Sequence, residues 1–253
     1  MKHMRKNIHI VMKKNNEMKK QLLFSFFIVL SLTTYTQERI LWDYPIKPGT
    51  SEWAALETNE QMTNACQIPL EILSTITTKE LVEISLNYPQ FNNYIAFNDE
   101  REGVNNIIKR FNGLQELSQR TDCINELIIA YENYPIITQI QTEPNSESYH
   151  TPYKLPFLEL VLSDNLFLSQ LNSEDLETIR KIAINKYALK LENHEVYSFF
   201  NIKTTMLLAA IIIDKQNNTT NSQEERYIIK SFIKDYNLLQ PDLLTKVSKI
   251  IIK

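Results

Sequence analysis

The sequence predicts an all-α protein: an irregular, solenoid-like multi-helix array in two helical halves, following an N-terminal segment that is removed. Three observations lead there. Apolar residues recur at three- and four-residue spacing from Thr58 onward. Capping boxes punctuate the chain at Thr58/Gln61, Thr77/Glu80 and Ser222/Glu225. No stretch alternates in strand fashion, and no Asn-Gly turn joins two β-branched runs.

Residues 1–36 read as a secretory signal. Met18-Lys19-Lys20 precedes an apolar run, Leu22 to Leu32, and a polar Thr/Gln stretch follows. Such a run is too short to cross a bilayer core of about 30 Å as a helix. Residues 1–17 are then either an overlong basic leader or a stretch upstream of the natural start at Met18. Residues 37–57 form an extended strap, with Pro45 and Pro48 favouring extended backbone and Gly49 allowing a turn.

Residues 58–137 form the N-terminal helical half. Thr58 starts a helix through Cys66, and Pro69 suits the first turn of "PLEILSTI". Thr77 starts a third helix, which ends at Tyr88-Pro89. Further helices are expected at about 92–97, 100–111, 114–119 and 122–134, with a break at Asn112-Gly113. The polar, proline-punctuated residues 138–152 predict a long loop. Residues 153–253 form the C-terminal half. There Leu176, Ile179, Ala183 and Tyr187 share one helix face, and "TTMLLAAIII" predicts a central buried helix. Ser222 opens a helix to about Leu239, and Pro241 opens the last one.

Composition narrows the function. Residues 1–36 hold seven of the 27 basic residues and one of the 30 acidic ones, which leaves 20 basic and 29 acidic residues and a net charge of −9. Nucleic-acid affinity needs clustered Lys and Arg, so no nucleic-acid partner is expected. Only three glycines occur, Gly49, Gly103 and Gly113, which excludes a Gly-rich phosphate loop. No cofactor and no metal site are expected, because neither H-E-x-x-H nor C-x-x-C is present.

Cys66 and Cys123 are a candidate disulfide in an exported chain, against the alternative of two separate buried thiols; pairing would stabilise by about 4 kcal/mol on the chain-entropy model. Trp42 and Trp53 are candidate binding residues, because paired tryptophans can form a ligand platform; the alternative is that they pin the strap to the helices. Catalytic candidates are weak. Glu100 and Glu102 belong to the densest acidic cluster, "FNDEREG", and His194 sits between Glu192 and Glu195. Acidic residues at a helix start serve equally well as dipole partners. "NNTT" at 217–220 satisfies a glycosylation sequon and marks an exposed turn.

"YPIKPGTSEW", "ACQIPLEIL", "LVEISLNYPQF" and "FNGLQEL", in that order between Tyr44 and Leu117, resemble a family of uncharacterised secreted bacterial proteins. The resemblance implies export and a fold that begins at the strap, and it transfers no catalytic residue. The expectation from sequence is an exported, non-enzymatic module that binds a protein or peptide in a groove between helices, with no membrane span in the mature chain. The alternative is a carboxylate-dependent hydrolase of envelope or nutrient polymers.

Overall fold

Side-chain caps and prolines set where the helices begin, and buried stripes set what each packs against. The structure, a computed structural model, describes residues 41–137, 147–216, 221–237 and 240–253, with backbone alone for 147–152. The expected signal segment and the sequon at 217–220 lie outside the described residues, as does most of the expected loop.

The strap is held by a tyrosine. Tyr44 is buried, and its hydroxyl donates to the Ile84 carbonyl at 3.1 Å. Its ring meets Trp42 edge-on at 4.8 Å and leans on Tyr88, which stacks on Phe111 at 4.2 Å. Gly49 turns the chain with φ +97°, a conformation costly for any residue with a Cβ. Helix α1 (Ser51–Ala54) follows, capped by Thr50.

Helix α2 (Asn59–Ala65) starts at the Thr58/Gln61 box, α3 (Leu70–Leu73) at Pro69 and α4 (Thr78–Leu86) at the Thr77/Glu80 box. A 3-10 helix (Phe91–Ala96) leads to α5 (Glu100–Arg110), whose first turn is capped by Asp99. The break expected at Asn112-Gly113 falls earlier, at the extended Phe111, because Asn112 and Gly113 are already helical in α6 (Asn112–Gln119), and the side chain of Asn112 fixes the start of that helix. Asn112 Oδ1 accepts from the Ile68 N–H at 2.9 Å while its Nδ2 donates to the Ile68 carbonyl at 2.8 Å. One amide side chain thus satisfies both backbone groups of Ile68, as a paired strand would. Helix α7 (Cys123–Asn133) completes this half.

Helix α8 (Glu147–Leu162) corrects the expected loop, because residues 147–152 are helical. Pro156 interrupts the backbone bonding of α8, at a usual cost of about 3 kcal/mol. Burial of Leu155 and of Phe157 to Leu162 outweighs this, and Tyr94 donates its hydroxyl to the Tyr153 carbonyl at 2.9 Å. Local proline punctuation lost to tertiary packing.

Helices α9 (Asn165–Leu168) and α10 (Ser173–Glu192) follow, the latter with a capping box from Asn172 and Asp175. Helix α11 (Phe199–Lys215) is the expected central helix, with every residue from Asn201 to Ala210 buried. It packs against α8, α10, α12 (Gln223–Lys234) and α13 (Pro241–Ile251). Helix α12 stops at Lys234, short of the expected Leu239; Tyr236 follows it and turns inward, fully buried.

The described residues hold thirteen α-helices, one 3-10 helix and no strand. Trp42–Lys253 forms one compact unit, in which the two helical halves meet along α8. Among the described residues no helix is long and apolar enough to cross a membrane.

One close approach in this packing is directly testable. A Cβ on Gly103 would lie 2.6 Å from both the Cα and the carbonyl oxygen of Tyr94, so α5 and the 3-10 helix touch backbone to backbone. Gly103→Ala should destabilise the protein by about 1–3 kcal/mol, the usual cost of overpacking, read as a lower urea midpoint with an unchanged slope.

Candidate functional site

The most unusual chemistry lies inside the helix array. Lys190 on α10 and Glu159 on α8 are both fully buried and pair at 2.9 Å. The ammonium also donates to the Asn201 carbonyl at 2.9 Å and to Thr205 Oγ1 at 2.7 Å. Glu159 in turn accepts from Thr204 at 2.6 Å, Thr205 at 2.7 Å and the Tyr131 hydroxyl at 3.2 Å. Burial pulls the Lys190 pKa down, and Glu159 opposes that shift. With both charges enclosed by partners from four helices, the cluster is a structural network with no route for a substrate.

Two further lysines are nearly buried beside it. Lys186 Nζ donates to the Tyr134 carbonyl at 2.7 Å and the Glu132 carbonyl at 3.3 Å, which ties down the C-terminal end of α7. It also lies over the Tyr131 ring, 5.3 Å from the centroid. Burial lowers its pKa to about 8, with Lys190 pushing the same way and Glu159 and Glu132 resisting. Lys203 sits over the Tyr236 ring at 4.0 Å and faces Glu100 at 3.7 Å.

The candidate site itself is a cavity of about 790 Å3 between α5, the α8–α9 junction, the C-terminal end of α11 and α12. Helix α5 contributes Arg101, Glu102, Asn105, Asn106 and Lys109; across from it stand Asp164, Asn165 and Asp214. Two pairs of its polar groups are locked in place. Arg101 chelates Asp99 through Nε at 2.9 Å and Nη2 at 2.5 Å, while its Nη1 donates to the Ile233 carbonyl at 2.6 Å. Burial opposes the Asp99 charge, but the Arg101 hydrogen bonds outweigh it and hold the carboxyl below its ordinary range. Asn105 donates to Asp164 at 3.0 Å, and Asp164 also caps α9 by accepting from the Leu166 N–H at 2.9 Å. A second depression, about 520 Å3, lies between α4 and α7 with apolar walls of Val82, Leu86, Ile129 and Ala130.

The sequence candidates separate in space. Glu102 is exposed and lines the cavity, whereas Glu100 is not among its lining residues and is engaged with Lys203. His194 is exposed in the turn after α10, outside that lining. Trp42 and Trp53 are both half-buried; Trp42 packs on Tyr44, the residue that pins the strap. The candidate disulfide is absent: Cys66 and Cys123 are free, buried thiols. Cys66 lies under the strap beside Tyr44, while Cys123, at the start of α7, donates to Gln170 Oε1 at 3.4 Å. Burial pushes the Cys66 thiol up to about 12, so neither the position nor the protonation state suits a nucleophile. Among the described residues no group of three or more His, Cys, Asp or Glu could hold a metal.

Sequence reading missed Asn105, Asn106, Lys109, Asp164 and Asp214. Within α5 the signal was present, since residues 102, 105, 106 and 109 repeat at helical spacing opposite the buried Val104, Ile107 and Ile108. No family model, curated protein or solved structure matches this chain.

The buried pair should be strongly non-additive. Lys190→Met leaves Glu159 buried without its counterion and should cost about 3–5 kcal/mol. Lys190→Met with Glu159→Leu should cost markedly less than the two single changes summed, read from urea midpoints in a double-mutant cycle.

Lys186 carries a pH signature. Its folded pKa of about 8 lies below the ordinary 10.5, so between those values the unfolded chain binds more protons than the folded one. Stability therefore gains from this lysine as pH rises through that window. The change in urea midpoint from pH 7.5 to 9.5 should be more positive for the wild type than for Lys186→Met.

Proposed function

We propose that the protein is an exported, non-enzymatic binding protein that takes its ligand in the α5/α8–α9/α11/α12 cavity. One observation carries the reading: Asp99, Arg101 and Asp164 in the cavity are held by one another, by Asn105 and by backbone, while a large hydrogen-bonding surface stays open to solvent. Acid–base chemistry needs groups poised against a substrate, with a base within reach of its proton. His194 is elsewhere, Glu100 is engaged by Lys203, and Asp99 is chelated by Arg101. Export rests on the signal pattern of Met18–Gln37 and on the resemblance to secreted proteins.

We place the ligand in this cavity in preference to the protein or peptide in an inter-helix groove that the sequence led us to expect. The α4/α7 groove has apolar walls that select shape more than chemistry. A second reading, the carboxylate hydrolase, is favoured by Glu102, Asp164 and Asp214 opening onto one cavity.

Incubation of the purified protein with envelope polymers and with chromogenic glycosides, esters and peptides separates the two. The binding reading expects no turnover above the level of Glu102→Gln. Turnover that Glu102→Gln or Asp214→Asn abolishes, with the fold intact, establishes the hydrolase instead.

A further inference from the structure

The lining of the cavity specifies a ligand class through its charge, its hydrogen-bonding groups and its shape. Charge comes first. Acidic Asp99, Glu102, Asp164 and Asp214 are set against basic Arg101, Lys109 and Lys215, so the two signs nearly cancel. They are also interspersed: Lys215 follows Asp214, and Lys109 shares helix α5 with Glu102. Lys230 approaches Asp214 at 3.9 Å and Arg101 is bound to Asp99, which reduces the net field further. A surface that selects an anion or a cation by charge needs a sustained field of one sign, and this one lacks it.

Hydrogen-bonding capacity is high and of both kinds. Asn105, Asn106 and Asn165 each present a carbonyl that accepts and an NH2 that donates. Asp99 and Asp164 add acceptors, already oriented by Arg101, Asn105 and the Leu166 N–H. A hydroxyl group both donates and accepts, so a run of neighbouring hydroxyls can satisfy such a mixed wall at many registers. An extended peptide instead wants an exposed sheet edge or an apolar groove, and the described residues line this cavity with helices and no strand.

Shape completes the match. About 790 Å3 falls within the usual range for a small-molecule site, roughly 300–1,000 Å3. Phe97 lines the cavity with 38% of its surface exposed, and Leu160, Leu168, Ile211 and Ile233 supply apolar backing among the polar groups. An aromatic face beside hydrogen-bonding amides suits a ring that carries C–H on its faces and hydroxyls on its edge.

We infer that the cavity between α5, the α8–α9 junction, α11 and α12 binds an uncharged oligosaccharide, with Phe97 as the ring platform and Asn105, Asn106 and Asn165 reading its hydroxyls. The inference rests on the binding reading above and names its ligand. Asp99 and Asp164 act as oriented acceptors, and Arg101 is the positioning residue that fixes Asp99.

The test is calorimetric titration of the purified protein with neutral cello-, xylo-, malto- and chito-oligosaccharides. The same titrations follow on Phe97→Ala, Asn106→Ala and Asn106→Trp. Asn106 is exposed, so its variants keep the fold; unchanged melting temperatures verify that, and they guard against Phe97→Ala acting through packing near Gly103. At least one neutral series should bind, with Kd raised tenfold or more by Asn106→Ala and by Phe97→Ala, and binding abolished by Asn106→Trp. The affinity should stay within twofold between 50 and 300 mM salt.

Failure of every neutral series overturns the inference. Salt-sensitive binding confined to uronate or phosphorylated sugars overturns it too. If short peptides bind instead and Asn106→Trp blocks them, the saccharide assignment falls while the cavity remains the binding site. If ligands bind indifferently to Asn106→Trp, both the saccharide assignment and the cavity reading fall.

Discussion

The enclosed Lys190–Glu159 pair is the constraint on which the rest of the structure depends. It joins four helices: Tyr131 from α7, Glu159 from α8, Lys190 from α10, and Asn201, Thr204 and Thr205 from α11. Removing two charges from water costs several kcal/mol per ion, so the pair is a poor source of net stability. Its contribution is registry. Helix α11 is buried almost all round and would accept several rotations and shifts against its neighbours. A slide of one turn, about 5.4 Å, would carry Thr204 and Thr205 away from the carboxylate and leave it under-satisfied in an apolar medium.

That registry extends to the cavity. Ser163 ends α8 by donating to the carbonyl of Glu159 at 2.7 Å, one turn from the buried carboxylate. Asp164 follows immediately and holds Asn105 across the cavity. Further along α11 from Thr204 and Thr205, Ile211, Asp214 and Lys215 line the same space. A fixed α8 and a fixed α11 therefore set two walls of the candidate site, while Arg101 ties α5 to the Ile233 carbonyl of α12 and sets the others. The proposed ligand would meet a frame whose polar side chains are oriented before binding, which would lower the ordering cost of recognition.

Legibility in the sequence followed the range of each interaction. The capping boxes at Thr58, Thr77 and Ser222 sit where spacing placed them, because a cap involves residues three apart. The stripe through Leu176, Ile179, Ala183 and Tyr187 is buried as expected, and it continues at helical spacing through Lys186 and Lys190. A lysine on an apolar stripe ordinarily carries its ammonium out to water, so the sequence pattern gave no reason to single out Lys186 or Lys190 as buried. In the same way both tryptophans drew attention in the strap, while Tyr44, with a hydroxyl able to reach the Ile84 carbonyl, anchors it. Half of the acidic pair singled out at Glu100 and Glu102 lines the cavity; the other half is held by Lys203, more than a hundred residues away.

By itself the sequence determined the helical class, most of the helix boundaries, the central burial of α11 and the break before α6. These follow from backbone hydrogen bonds, caps and periodicity, all of which act within a few residues along the chain. Only the tertiary structure decided which charges lie inside, that the two cysteines stay apart as free thiols, and which faces of four separate helices make one cavity. The partners of Glu159 are 28 to 46 residues away in the chain, and those of Asp164 in the cavity 59. Whether a charge pays its desolvation cost depends on such distant groups, and no local pattern encodes where they will be.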